Sequence, residues 1–114
     1  MPPSLEDRLR DVLEAIGEIE EFLAGVSLEQ FTESQVLRKA TERNLEIVCE
    51  DARHIPDEVK QNAPTIDWRK MNEFANLLRH AYHSTKVDIV WDIVRNHLPP
   101  LKSFVELHIH TSGK

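Results

Sequence analysis

The sequence predicts an all-α fold, an antiparallel four-helix bundle with short extra helical turns. Three observations predict it. Apolar residues recur by threes and fours rather than alternating, which is the period of a helix with one buried face. The breakers are few, three glycines and six prolines in 114 residues. The connections between apolar runs are short, which makes successive helices antiparallel neighbours. A chain of this length is expected to form one domain over residues 1–114 and to bury roughly two-thirds of its unfolded surface.

Each element follows from local signals. Leu5, Leu9, Val12, Leu13, Ile16, Ile19 and Leu23 line one face of a first helix over residues 5–24, with Ser4 as its cap and Gly25 as its stop. Residues 27–31 read as a single turn that tucks Leu28 and Phe31 under the bundle. Thr32 with Gln35 has the spacing of a capping box and opens a second long helix. Its buried stripe is Leu37, Ala40, Leu45, Val48, Ala52 and Ile55. Pro56 stops that helix or starts a further short turn through Val59. Asp67 caps a third helix carrying Trp68, Met71, Phe74 and Leu78. Ser84-Thr85-Lys86 interrupts, and Asp88 is placed to cap a fourth helix with Ile89, Trp91, Ile93 and Val94. Pro99-Pro100 kinks or restarts that helix before Leu101, Phe104 and Leu107.

Composition narrows the function classes. No run approaches the ~20 apolar residues of a membrane span, and the first residues have no signal-peptide character. The single Cys49 cannot staple a fold and sits beside Ile47 and Val48, so a buried small hydrophobe in a reduced, cytoplasmic setting is expected. The net charge of −6 is uneven: residues 1–66 hold seven Lys/Arg against fifteen Asp/Glu, whereas residues 67–102 hold six against four. The second region also holds His80, His83 and His97. An acidic body with one basic, histidine-bearing face attracts a phosphate backbone locally but does not grip long duplex.

The densest chemistry is Asn76-Leu77-Leu78-Arg79-His80-Ala81-Tyr82-His83. Together with the Phe31 turn, residues 40–52 (ATERNLEIVCEDA), residues 66–71 (IDWRKM), Val87-Asp88-x-Val90-Trp91 and Leu98-Pro99-Pro100-Leu101, this ordered set resembles the HepT-like branch of the HEPN superfamily, small helical ribonuclease toxins. The resemblance spans nearly the whole chain. It implies an HEPN-like bundle, a homodimer whose paired third helices form an RNA-cutting cleft, and no cofactor or metal. It also implies a partner antitoxin, an MntA-type minimal nucleotidyltransferase, that adds AMP to the signature tyrosine. The signature is R-x-x-x-x-H-x-Y, usually with asparagine after the arginine. Asn76, His80 and Tyr82 fall into place, and Ala75 stands where the arginine belongs.

The chemistry is coherent with those residue types. Metal-independent RNA cleavage needs a base for the 2′-hydroxyl proton, an acid for the leaving 5′-oxygen and positive charge at the phosphorane. A histidine serves either proton role; alanine cannot hold a phosphate as arginine does. At about 100° per residue, Asn76, His80 and His83 share one stripe, while position 75 lies about 140° from His80 and about 40° from Arg79. A site built across two chains therefore suits the pattern better than one built within a single helix. On the carried-over pattern His80 is the acid/base, Asn76 the orienting group and Tyr82 the AMP acceptor, with Arg79, His83, Glu50 and Arg43 in support. Glu50 is expected to pair with Arg79 or Arg69 and so to order the third helix.

Plainer readings stand beside these. His80 alone reads as a core histidine bonded to a carbonyl, and Tyr82 as an interface residue with a wet hydroxyl. Arg43, Asn44 and Glu50 read equally as a solvated polar stripe. Trp68 and Trp91 lie in apolar periods and read as core or dimer anchors rather than base-stacking platforms. His108-x-His110 lacks the companions a metal site needs. Ala75 is read either as decay of a natural toxin or as a deliberate disarming, the latter favoured because a single position fails in an otherwise complete set. The expected function is the toxin of a type VII-like toxin–antitoxin system, an RNA endonuclease (transfer RNA being a suitable target) impaired by Ala75. The alternative is a non-catalytic docking module for a partner nucleotidyltransferase.

Overall fold

The computed structural model describes residues 4–80 and 87–112; the side chains of His80 and of residues 110–112 fall outside that description. Tyr82, His83 and the Ser84-Thr85-Lys86 interruption also lie outside it. The described residues form helices α1 (Leu5–Leu23), α2 (Leu28–Glu33), α3 (Gln35–Arg53), α4 (Asp57–Lys60), α5 (Trp68–His80), α6 (Val87–Asp92) and α7 (Leu98–Ser112), with a π-helical turn, Ile93–His97, joining the last two. Helices α1, α3, α5 and the composite α6–π–α7 rod are the four long members of an all-α bundle. None of these helices is long and apolar enough to cross a membrane.

The ends of the helices follow from their capping chemistry. Ser4 Oγ accepts from the Asp7 N–H at 3.1 Å while the Asp7 carboxylate accepts from the Ser4 N–H at 3.2 Å, a reciprocal box that opens α1. Gly25 follows that helix with φ +73, a conformation only glycine enters without steric cost. The next box belongs to Ser27 and Gln30, not to Thr32 and Gln35. Thr32 lies inside α2, its hydroxyl donating to the Leu28 carbonyl at 2.7 Å, and Ser34 caps α3 through the Leu37 N–H at 3.2 Å. Two candidate boxes of the same spacing follow one another here, and the earlier one closes. Asp67 caps α5 as expected, accepting from the Lys70 N–H at 3.0 Å. Asp88 falls within the first turn of α6 rather than ahead of it.

α3 is the spine of the bundle, packed most extensively on α1 and α5. The core is drawn from Leu9, Val12, Ile16 and Ile19 of α1, Leu45, Val48, Cys49 and Ala52 of α3, Met71 and Phe74 of α5, and Val90, Ile93, Leu98, Leu101 and Val105 of the last rod. Each large apolar side chain buried there contributes about 1.5–3 kcal/mol. The short α2 earns its place through Phe31, which is fully buried with its ring 5.3 Å from that of Trp91. Trp68 is half-buried, donating from Nε1 to the Ala63 carbonyl at 3.2 Å and meeting the Phe104 ring edge-on at 5.7 Å. Both tryptophans thus act as anchors within this chain.

The proline pair restarts the rod rather than breaking it. Leu98 N–H bonds the Ile93 carbonyl, five residues back. Pro99 and Pro100 then occupy the first turn of α7, where the fixed φ of proline suits a helix. Lys102 in the next turn holds Glu20 of α1 at 2.9 Å and 3.0 Å, tying the last helix to the first.

Candidate active site

α5 presents two faces. Met71, Phe74, Ala75 and Leu78 are buried toward the bundle, while Asn76, Leu77 and Arg79 face outward. Ala75 is only 3% exposed. Its small side chain forms part of the floor of a groove of about 490 Å³ between α1, α3 and α5. Arg79 stands over the same groove one turn further along α5. Asp11 comes from α1, and Arg43, Glu46, Glu50 and Asp51 come from α3. The groove thus brings together four of the residues singled out in the sequence: Ala75, Arg79, Glu50 and Arg43. It does not include Asn76, which lies on the outward face. His80 closes α5 four residues after Asn76; its imidazole, Tyr82 and His83 lie outside the described structure.

Glu50 is the hub of this groove. Its carboxylate accepts from Arg79 Nη2 at 2.9 Å, the bond expected to order the third helix, and Arg69 takes no part in it. Arg53 lies 3.7 Å and His54 3.9 Å from the same carboxylate. His54 Nδ1 donates to the Glu50 carbonyl at 2.9 Å, so that ring is fixed against its own helix. One acid therefore masks three potential cations. Arg43 turns instead to Glu46 at 3.8 Å, a largely exposed pair within one helix that contributes little to stability.

Two neighbouring polar groups hold α1 rather than α5. Asn44, 7% exposed, donates to the Ala15 carbonyl at 3.2 Å and to Glu18 at 2.8 Å. Far from a solvated stripe, this amide fixes α1 against α3. Asp51, 8% exposed, bonds Arg8 at 3.1 Å. Burial, and then the negative charge of Asp11, push the Asp51 carboxyl above its usual range, with Arg8 opposing both. Sequence reasoning missed Asp51 and Asp11; the available signal was an acid set inside the apolar arc of Val48, Cys49 and Ala52. Cys49 is fully buried and its thiol is pushed up to about 12, so it is an inert core residue. On the tail, His108 packs near Phe104 at 6.1 Å between ring centres.

The groove's chemistry is mixed. Four carboxylates line it against two guanidiniums, a balance that repels phosphate until a further cation is added or an acid is neutralised. A longer basic side chain at position 75 would rise from the floor into this space.

Comparison with known proteins gives a consistent picture. The family model described as "Ribonuclease HepT-like" matches residues 12–107. A protein of Thermococcus cleftensis named "Probable ribonuclease HepT" is 37% identical over 106 residues, covering 93% of this chain and 96% of that protein. Two proteins of Methanocaldococcus jannaschii that carry an RNase assignment in their names are each 30% identical. One aligns over 99 residues, 87% of this chain and 91% of the relative. The other aligns over 91 residues, 80% and 75%. No solved structure matches the chain.

Proposed function

This chain belongs to the HepT-like ribonuclease family, and from that premise we propose that it is the toxin of a toxin–antitoxin pair, an RNA endonuclease weakened by alanine at position 75. In the proposed reaction two chains pair through their signature helices. His80 takes the proton from the ribose 2′-hydroxyl, the 2′-oxygen attacks the adjoining phosphorus, and the bond to the 5′-oxygen breaks as an acid, the partner's imidazole, returns a proton. Asn76, exposed on α5, orients the phosphate or the imidazole. The whole of residues 1–114 acts as one unit in the cytoplasm.

The observation that carries the reading is the groove over Ala75. Ala75, where the resemblance would put an arginine, lies on its floor, and Arg79, one turn further along α5, is held by Glu50 at 2.9 Å. Phosphate therefore meets a site with its clamp absent and its neighbouring arginine engaged. Loss of one such donor costs about 10²–10³ in rate. A nucleotidyltransferase antitoxin would complete the system by moving AMP from ATP to the Tyr82 hydroxyl, with pyrophosphate leaving, a step with no need of an arginine at position 75.

The experiment restores the clamp. Ala75→Arg should cleave RNA and arrest host growth, and adding His80→Ala should abolish both effects. Intact RNA and unimpaired growth with Ala75→Arg would refute the ribonuclease reading. A docking role for a partner nucleotidyltransferase is favoured by the acidic balance of the groove, and equal outcomes with and without His80→Ala would select it.

A further inference from the structure

A second groove lies on the far side of α1, where the end of that helix meets the π turn. Its volume is about 400 Å³, within the range of small-ligand sites. Leu23 and Val26 form one wall, and Trp91, Val94, Arg95 and Pro99 the other. Glu20 stands at its edge, already engaged by Lys102.

What distinguishes this groove is its backbone. Pro99 and Pro100 carry no N–H, so the Arg95 carbonyl has no helical donor either four or five residues ahead. The Val94 carbonyl loses its donor five ahead for the same reason, and the Leu98 N–H is committed to Ile93. Two adjacent acceptors are thus left without helix partners at residues that line the groove. Departures of this kind from the α pattern recur at functional sites. Beside them the Arg95 guanidinium lies over the Trp91 ring at 4.8 Å. Trp91 also packs against Phe31, and Arg95 itself is exposed. Its outer plane is a flat cationic platform.

A ligand that uses all of this is flat and aromatic, with two N–H donors on its edge. We propose that the groove is a subsite for an unpaired base of the RNA strand that carries an exocyclic amino group, adenine above all. The base stacks on Arg95 and donates its amino hydrogens to the Val94 and Arg95 carbonyls. An apolar peptide side chain would fill the same space but leave both acceptors unserved. Uracil, with carbonyls flanking one ring N–H, meets acceptors with acceptors. The inference rests on the ribonuclease reading for its choice of ligand, and a binding experiment without cleavage separates the two.

The test is a titration of the full chain with adenosine and with purine riboside, which lacks only the amino group, followed by the indole N–H resonances. Adenosine should move the Trp91 signal and leave that of Trp68 in place, since Trp68 packs on Phe104 and Ala63 instead. Purine riboside should bind about tenfold more weakly or worse. Pro99→Ala with Pro100→Ala supplies the missing helix donors and should weaken adenosine to the same degree. Val26→Trp, which fills the groove from the opposite wall and leaves the rod's own sequence unchanged, should abolish the shift and covers the case in which the double variant misfolds. Equal binding of the two nucleosides, a response at Trp68, persistence in Val26→Trp, or no Trp91 shift at millimolar adenosine would each overturn the proposal, and none of them bears on whether Ala75→Arg cuts RNA.

Discussion

Replacing Glu50 with glutamine tests whether the first groove takes phosphate. The carboxylate gathers Arg79 at 2.9 Å, Arg53 at 3.7 Å and His54 at 3.9 Å, and all four side chains are roughly 40–46% exposed. Exposed pairs are each worth about 0.2–1 kcal/mol, with the shortest dominating. Glu50→Gln should therefore cost about 1 kcal/mol, a loss of about 4 °C in Tm for a chain of this size. The gain lies in the field. Removing one negative charge about 6 Å from a bound phosphate relieves about 0.7 kcal/mol in water, and less once salt screens it. RNA should bind about two- to threefold more tightly at low salt, with the advantage fading as salt rises. Fluorescence anisotropy with a short labelled RNA, run across a salt series beside Arg79→Ala, measures both effects. If Glu50→Gln leaves affinity unchanged and Arg79→Ala leaves it unchanged as well, the groove does not face the phosphate and the reasoning fails.

Three further outcomes follow from the packing and electrostatics. Phe31→Ala removes the fully buried ring that joins α2 to Trp91 and should cost about 3–5 kcal/mol in urea unfolding. Asp11→Asn should bring the Asp51 carboxyl down toward its ordinary 3.8, read by the titration of its carboxyl carbon. Because the fold holds the Asp51 proton more tightly than the unfolded chain does, stability declines as pH rises through the window above 3.8 and stays lowered beyond it. Asp11→Asn shrinks that decline, so the variant should gain more at pH 7 than at pH 4. Cys49, buried and with its thiol near 12, should resist a thiol reagent at pH 8 in the folded protein and react at once in denaturant.

The bundle was legible because its signals are local. The stripe from Leu9 to Ile19, the Ser4 and Asp67 caps and the stop at Gly25 each depend on residues within a turn or two of one another. The Thr32 box misled because the helix that Ser27-x-x-Gln30 opens runs through Thr32, and spacing alone does not say which box closes. The Glu50–Arg79 bond was one of two pairings expected for Glu50, Arg69 being the other, within the block that carries the resemblance. Asn44 was placed on the right helix but with no neighbour: its azimuth relative to α1 and α5 depends on how three helices pack, which no window of sequence contains. The π turn was likewise hidden, since Pro99-Pro100 permits a kink, a restart or a widened turn. Asp51 and Asp11 were missed for a related reason, because their meeting requires α1 to lie against α3 in one particular register.

That register has a keeper in Asn44. Its amide reads a single mid-helix carbonyl, Ala15, and one carboxylate a turn on, Glu18, so α1 cannot slide along α3 without stranding a buried donor. About two turns away the same two helices are joined by Arg8 and Asp51. The paired fastenings behave like two teeth of a rack, and the mouth over Ala75 is gauged by them. A substitution at Asn44, although it touches no part of that opening, would alter its width.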